Sequence, residues 1–428
     1  MDVGIRIQRL SWQASVIRKV WILSGRAFGK GLLGPAVRLC EMARSALENG
    51  HEVHVAVLDP ESDPLPQGVH LHNLRDLDLG SIRAGDGLVF GPYLPAGIAW
   101  RLLRSGLPFH LDLYCLTATE QMALWAKSPG RARDVERAKL RKRYLLHAMA
   151  AESIQVSCLE QWMVVAGMLL SERDWSRGGL AESLTRKVVE VPMGVREAAF
   201  PQNSANPYPQ ELQGRPVFLW GGSLWNWFDL ETLHQAFRLL DARGSKAALF
   251  FLSGGNRTER SSENAPLLWM EDKARESGLL GRGIFFNSVS VAPQELAPWL
   301  EHCRAGILTN PASLEALSSW RTRYLDLLWA RKPLVVSGVD PLGSRMLQSG
   351  CALRVAAGDA PGLADIIDRL ASSPELSASM GASASGLASS LSWKRNLAPF
   401  VDALADPASF KDAGRRPSLL DGLGYLLT

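Results

Sequence analysis

The chain has 428 residues, 46% of them hydrophobic and 21% charged, with a formal net charge of +4. That length exceeds one ordinary core and favours two domains, while the composition excludes a disordered or fibrous chain. The small basic excess argues against a dedicated nucleic-acid binder and suits a small anionic substrate.

Five scattered cysteines (Cys40, Cys115, Cys158, Cys303, Cys351) form no Cys-x-x-Cys pair. Neither a disulfide framework nor a zinc knuckle is implied, and a reducing, cytoplasmic setting fits. Residues 1–20 mix Arg6, Arg9, Arg18 and Lys19 with apolar positions and read as no secretory leader. No apolar run approaches the roughly 20 residues needed to span a bilayer.

In chain order, 20–24 reads as a buried strand running into a glycine-rich turn over 25–34, then a helix from Pro35 to about Asn49, where proline suits the first turn. Gly50 ends that helix, and 51–58 is a second strand, completing one βαβ unit. Further strands are expected at 87–90, 108–113, 153–157 and 187–191, with a long helix between 119 and 150. Residues 201–215, rich in Pro, Asn, Gln and Ser, read as a linker. The alternation then restarts with strands at 216–220, 247–252, 284–286, 305–308 and 334–337. Asp229 is placed to cap a helix through Leu240. Helices are expected near 293–302, 320–330, 362–372 and 393–402. The organisation is therefore α/β: an N-terminal Rossmann-like domain over 1–200, the linker, a C-terminal one over 216–390, and a helical segment over 391–428.

Ligands of open parallel sheets bind at the carboxyl ends of strands, where backbone amides and helix dipoles meet phosphates. Two glycine loops qualify, one with Gly29 and Gly31, the other with Gly222. Neither carries the dinucleotide fingerprint nor a P-loop, and plain turn-making is the competing reading of both. Arg321, Thr322 and Arg323 open a helix, where cations are unfavourable unless an anion lies between them and the helix amides. Ion pairing with nearby carboxylates is the alternative. Trp225 and Trp227 flank the second loop, placed either to stack a sugar or base or to pack. Asp112, Tyr114 and Glu120 follow an N-terminal-domain strand, where an acid can orient or deprotonate an acceptor hydroxyl, or merely cap a helix. The eight histidines show no metal-like spacing, and His110 reads as a core residue. The basic segment 127–143 is a solvated face or a patch for an anionic membrane surface.

With those residues in place, the chain resembles the GT-B glycosyltransferases, most nearly glycosyltransferase family 4. The resemblance rests on Gly34 through Val55 with its Gly-His-Glu-Val junction, on Val191-Pro-Met-Gly-Val195, and on Arg323 through Val336. It implies two Rossmann-like domains facing across a cleft and a nucleotide-sugar donor on the C-terminal domain. It also implies a sugar, lipid-linked or small-molecule acceptor on the N-terminal domain. Transfer would proceed with retention and without metal or cofactor. Asp112 is the catalytic candidate. Gly29, Gly31, Gly222, Trp225, Arg321, Thr322, Arg323 and Asp326 are the donor candidates, and Tyr114 and Glu120 the acceptor candidates. Two departures stand out. The family's Arg and Lys after the first C-terminal strand fall on Ser223 and Phe228, and its two helix glutamates fall on Ser318 and Asp326. Arg321 and Arg323 are expected to take over the diphosphate. A non-hydrolysing sugar-nucleotide epimerase, with His110, Asp112 and Asp340 as its acid–base set, and a non-catalytic GT-B partner subunit are the alternatives.

Overall fold

The computed structural model describes residues 18–25, 34–58, 60, 65–91, 94–125, 143–171, 180–253, 265–289 and 291–405. The N-terminal domain carries seven parallel strands: β1 (Lys19–Ser24), β2 (Glu52–Val57), β3 (His70–Asn73), β4 (Gly87–Phe90), β5 (His110–Asp112), β6 (Ser153–Val156) and β7 (Val188–Glu190). Their order across the sheet is β3-β2-β1-β4-β5-β6-β7. The C-terminal domain carries β8 (Val217–Trp220), β9 (Ala248–Phe251), β10 (Ile284–Phe286), β11 (Ala305–Thr309), β12 (Leu334–Ser337) and β13 (Ala352–Val355), in the order β10-β9-β8-β11-β12-β13. Both sheets reverse direction beside their first strand, which is the doubly wound arrangement whose ligand crevice lies at the reversal.

The central strands are apolar on both faces because helices cover both sides of a parallel sheet. Val20, Ile22, Val53 and Val55 are fully or nearly fully buried, as are Phe218, Trp220, Phe250 and Phe251. Helix Leu230–Ala242 starts as its sequence dictates: Asp229 accepts a hydrogen bond from the Thr232 amide at 3.0 Å. The expected long helix over 119–150 begins as helix Thr117–Trp125, and residues 143–150 are helical. Residues 126–142, and with them the basic segment except Arg143, fall outside the described set.

The segment that reads as a linker is docked on the C-terminal domain. Tyr208 is buried, donates to the Trp299 carbonyl at 2.9 Å and meets Phe250 edge-on. At the other end the chain returns to the N-terminal domain. Val195 donates to the Leu391 carbonyl at 2.8 Å, and Asn396 donates to the Met193 carbonyl at 3.3 Å. Helix Ala398–Ala405 then lies against helix Gly34–Glu48. Gly194 permits this crossing, because a Cβ there would stand 2.7 Å from the Trp393 backbone.

Gly194→Ala should therefore cost about 1–3 kcal/mol, the usual range for overpacking, and lower the melting temperature. An unchanged melting temperature would show that the crossing is not seated at Gly194. Two histidines predict the acid response. Burial pushes His110 and His147 down to about 4, below the ordinary value near 6.5. The unfolded chain therefore takes up protons that the folded chain refuses, and stability is lost as pH falls from 6.5 towards 4. Each residue should contribute a loss of about 2 kcal/mol between pH 7 and 5. Chemical denaturation at the two pH values should show that loss shrinking in His110→Gln; an identical loss would contradict the assignment.

Candidate active site

β8 ends at Trp220 and the chain turns through Gly221 and Gly222. Gly222 has φ +81°, a left-handed conformation that glycine adopts without strain. Arg323, the first residue of helix Arg323–Trp329, lies directly against this turn. A Cβ on Gly222 would sit 3.6 Å from its guanidinium carbon. Arg323 Nη2 donates to the Ser223 carbonyl at 3.1 Å, and the group lies over Phe228 at 4.8 Å and Trp220 at 5.6 Å. Its Nη1 is buried with no hydrogen-bond partner. Among the described residues no carboxylate pairs with it. Burial, and then the neighbouring Arg321, lower its pKa to about 10, so it remains a cation at neutral pH.

Arg321 is set differently. It pairs with Glu315 at 2.7 Å, both side chains being 6% exposed or less. It also donates to Asn310 Oδ1 at 3.0 Å. Asn310 in turn donates to Asp340 at 3.1 Å, and Asp340 accepts from Tyr324 Oη at 3.0 Å and from the Gly343 amide at 2.7 Å. The expectation that both arginines face a diphosphate is corrected here: Glu315 and Asn310 hold the terminal nitrogens of Arg321, which supports the floor under Arg323. Both guanidiniums rest on Phe228, Arg321 at 4.9 Å. Arg323 thus touches Ser223 and Phe228, the two positions where the resembled family carries its cations. The charge arrives from another element.

The remaining donor-side candidates are spread unevenly. Thr322 stands at the start of the Arg323 helix, with its hydroxyl 3.7 Å from where a Gly34 Cβ would lie. The starts of helix Arg323–Trp329 and helix Gly34–Glu48 therefore meet across the cleft. Asp326 pairs with Arg196 at 3.4 Å instead of standing free for a ligand. Trp225 stacks on Trp227 with centroids 5.0 Å apart, so one of its faces is taken by packing. Gly29 and Gly31 lie outside the described residues.

On the opposite side, Asp112 ends β5 and lines a cavity of about 40 Å³ with Ser24, Leu39, Met42, Gly91 and Tyr114. This is the reversal point of the N-terminal sheet. Asp112 faces Arg38, receiving bonds from its Nε at 2.8 and 3.0 Å. Arg38 is 1% exposed, lies over the Tyr114 ring and also donates to the Val191 carbonyl at 2.8 Å. The expectation that Asp112 orients or deprotonates an acceptor hydroxyl meets an ion pair here: Asp112 is the counter-ion of a buried arginine whose place no sequence pattern reveals. Tyr114 shares its cavity. Glu120 stands in the first turn of helix Thr117–Trp125, close enough to add to the burial that holds the Cys115 thiol well above its ordinary value. His110 is buried against Ser153 at 2.8 Å.

The two halves are joined below the cleft. Gln161 donates to the Tyr114 carbonyl at 3.2 Å and the Ser318 carbonyl at 2.9 Å, linking a buried N-terminal-domain residue to helix Leu314–Ser318.

No protein-family model matches the sequence, and no curated protein matches it. Solved structures do match along nearly the whole chain. The α,α-trehalose-phosphate synthase (UDP-forming) of Burkholderia vietnamiensis superposes with a TM-score of 0.66 at 13% identity, covering 94% of this chain and 99% of that one. The sucrose-phosphate synthase of Thermosynechococcus elongatus gives 0.63 at 14% identity, with 90% and 98% covered. Anabaena HepE in complex with UDP-glucose gives 0.62 at 12% identity, with 90% and 99% covered. The fold is GT-B. Its two Rossmann-like domains place the Gly222–Arg323 corner and the Asp112–Tyr114 cavity at the reversal points of their own sheets.

Because Arg38 is fully buried, Asp112→Ala should strand its charge and cost about 3–5 kcal/mol, whereas replacing both partners by apolar residues should recover most of that loss. Melting curves for Asp112→Ala and for Arg38→Met combined with Asp112→Leu test this. A single variant that melts with the wild type would remove Asp112 from the counter-ion role.

Proposed function

We propose that the chain is a glycosyltransferase that moves a sugar from a nucleotide-sugar donor to an acceptor hydroxyl, with retention and without metal or cofactor. The observation that carries this reading is the Arg323 guanidinium. It is a cation with an unmatched buried N–H, seated over a glycine turn at the reversal point of the C-terminal sheet. A buried donor left unpaired is costly, and a diphosphate supplies both the missing acceptor and the missing charge. As the bond from sugar to diphosphate breaks, negative charge grows on the leaving oxygens. A guanidinium already fixed by Ser223, Phe228 and Trp220 stabilises it with little reorganisation. The acceptor hydroxyl approaches from the Asp112–Tyr114 side. On this reading Asp112 acts through the Arg38 pair that shapes the cavity, and the leaving phosphate takes the hydroxyl proton.

The solved relatives support the substrate class: one is described as UDP-forming and one was solved with UDP-glucose. We place the activity in the cytosol, on a sugar, lipid-linked or small-molecule acceptor. None of the described helices is long and apolar enough to cross a membrane. The epimerase alternative draws no support from the geometry. His110 is enclosed, Asp112 is ion-paired and Asp340 is fully hydrogen-bonded within its own domain.

Arg323→Gln tests the proposal. A hydrogen bond to a charged group is worth about 1.5–3 kcal/mol, so the donor KM should rise roughly 10- to 100-fold with the melting temperature little changed. The nucleoside diphosphate that raises the wild-type melting temperature should lose that effect in the variant. Donor kinetics unchanged by Arg323→Gln would refute the reading, and a wild-type protein that binds no nucleoside diphosphate would favour a non-catalytic subunit.

A further inference from the structure

The β3 edge of the N-terminal sheet carries a second polar cluster. In a strand, alternate residues share a face, so Lys19 and Trp21 on β1, Glu52 and His54 on β2, and His70 and His72 on β3 each point to a common side. The parallel register sets Trp21 beside His54 and His54 beside His70. His54 and the pair His70 and His72, 16 and 18 positions further along, are thereby gathered on one patch, although their spacing along the chain carries no metal signature. His54 is 8% exposed and is stacked on one side by Trp21 at 4.2 Å and on the other by His70 at 4.7 Å. Its Nε2 lies 2.9 Å from Glu52 Oε1, and its Nδ1 lies 2.9 Å from His72 Nε2.

We propose that Glu52, His54 and His70 form a binding site for a divalent transition metal of the zinc class, remote from the sugar-transfer cleft. One ligand atom from each of these residues lies within 4.8 Å of those of the other two. Metal–ligand bonds of about 2 Å in tetrahedral geometry bring ligand atoms to roughly 3 Å from one another. Glu52 and His54 already meet that spacing. His70 is stacked on the His54 ring, so its imidazole must turn out of the stack to put a nitrogen on the same ion, and as an exposed residue at the sheet edge it has room to do so. Two imidazoles and a carboxylate suit zinc, copper or nickel and leave a position for water.

The surroundings of His54 match what a ligating histidine needs. A metal on Nε2 requires the hydrogen on Nδ1, and His72 Nε2, 2.9 Å away, accepts it in the His72 tautomer that leaves this nitrogen unprotonated, which would set ring orientation. Trp21 holds the ring in plane and is itself anchored through its Nε1 to Asp86 at 3.2 Å. Besides the His54–His70 stack, the opposing feature is Lys19, paired with Glu52 at 3.2 Å. Its side chain is 47% exposed and free to swing into water when the metal arrives. A bound ion would tie β3, the edge strand, to β2 through side chains as well as through the backbone ladder.

Cobalt(II) added to the full-length protein without an affinity tag tests the site by its visible absorption. The expected result is saturable binding of one Co²⁺ per chain, displaced by Zn²⁺. Affinity should be at least tenfold weaker in His70→Ala and in Glu52→Gln. In His72→Ala, which removes only the partner of His54, it should fall by about 10- to 100-fold, as loss of an outer-shell partner does. Circular dichroism confirms that each variant is folded, and His70→Ala alters an exposed residue. Zn²⁺ should also raise the wild-type melting temperature and leave that of His70→Ala unmoved, a readout independent of any sugar transfer. Absence of Co²⁺ binding by the folded wild type, or binding that survives both His70→Ala and Glu52→Gln undiminished, would overturn the proposal.

Discussion

A guanidinium that is charged, desolvated and lacking a carboxylate is an unusual thing for a protein to retain. Arg323 is held in that condition by three contacts: a single bond to the Ser223 carbonyl and the faces of Phe228 and Trp220. None of them neutralises it. A neighbouring cation, Arg321, lowers its pKa, and its own charge and terminal nitrogens are met by Glu315 and Asn310. The local charge is thus balanced for Arg321 and unbalanced for Arg323, and the unbalanced group lies at the one corner of the C-terminal sheet where strand order reverses. On the proposed reading an anionic ligand would resolve that imbalance.

The network beneath it explains why the corner keeps its shape. Glu315, Arg321, Asn310, Asp340 and Tyr324 form one buried chain of hydrogen bonds. Its links join the segment that opens the Arg323 helix to helix Leu314–Ser318 and to the end of β11, and Tyr324 of that helix to the helix capped by Asp340. Buried networks of this kind stiffen the geometry of the elements they join. On the other wall, Arg38 and Asp112 do the same for the N-terminal sheet, joining the first helix to β5. Gln161 then bolts the two walls together through the Tyr114 and Ser318 carbonyls.

Much of the fold could be read from the chain. The βαβ unit over 20–58 and the restart after residue 215 are both present, because a strand buried on both faces leaves an apolar run bounded by glycine or proline. The elements that escaped reading lack that signal. β3 is His-Leu-His-Asn, an edge strand without an apolar face. Helix Pro374–Ser390 is built from serine, alanine and glycine, so no apolar stripe marks it. The site was less legible. That Arg323 opens a helix is visible from its position, but whether it or Arg321 is free depends on Glu315, six residues before Arg321. Pairing between residues so placed is decided by how a short helix and a loop fold back on each other. Asp112 stands correctly at a strand end, yet its partner Arg38 is 74 positions away. Periodicity says only that Arg38 lies on a helix, and nothing in it says that the helix turns this residue inward. The histidine patch likewise depends on strand register, which brings His54 beside His70 only once β3 is known to exist.

Direct observation of the ligand at the corner is the most searching measurement. Crystals of the protein grown with a nucleoside diphosphate should show its phosphates against the Gly221–Gly222 turn, with an oxygen about 3 Å from Arg323 Nη1. A diphosphate bound elsewhere with Arg323 Nη1 still unpartnered, for instance among Arg215, Lys246 and Arg282 on the far side of the C-terminal domain, would contradict the account.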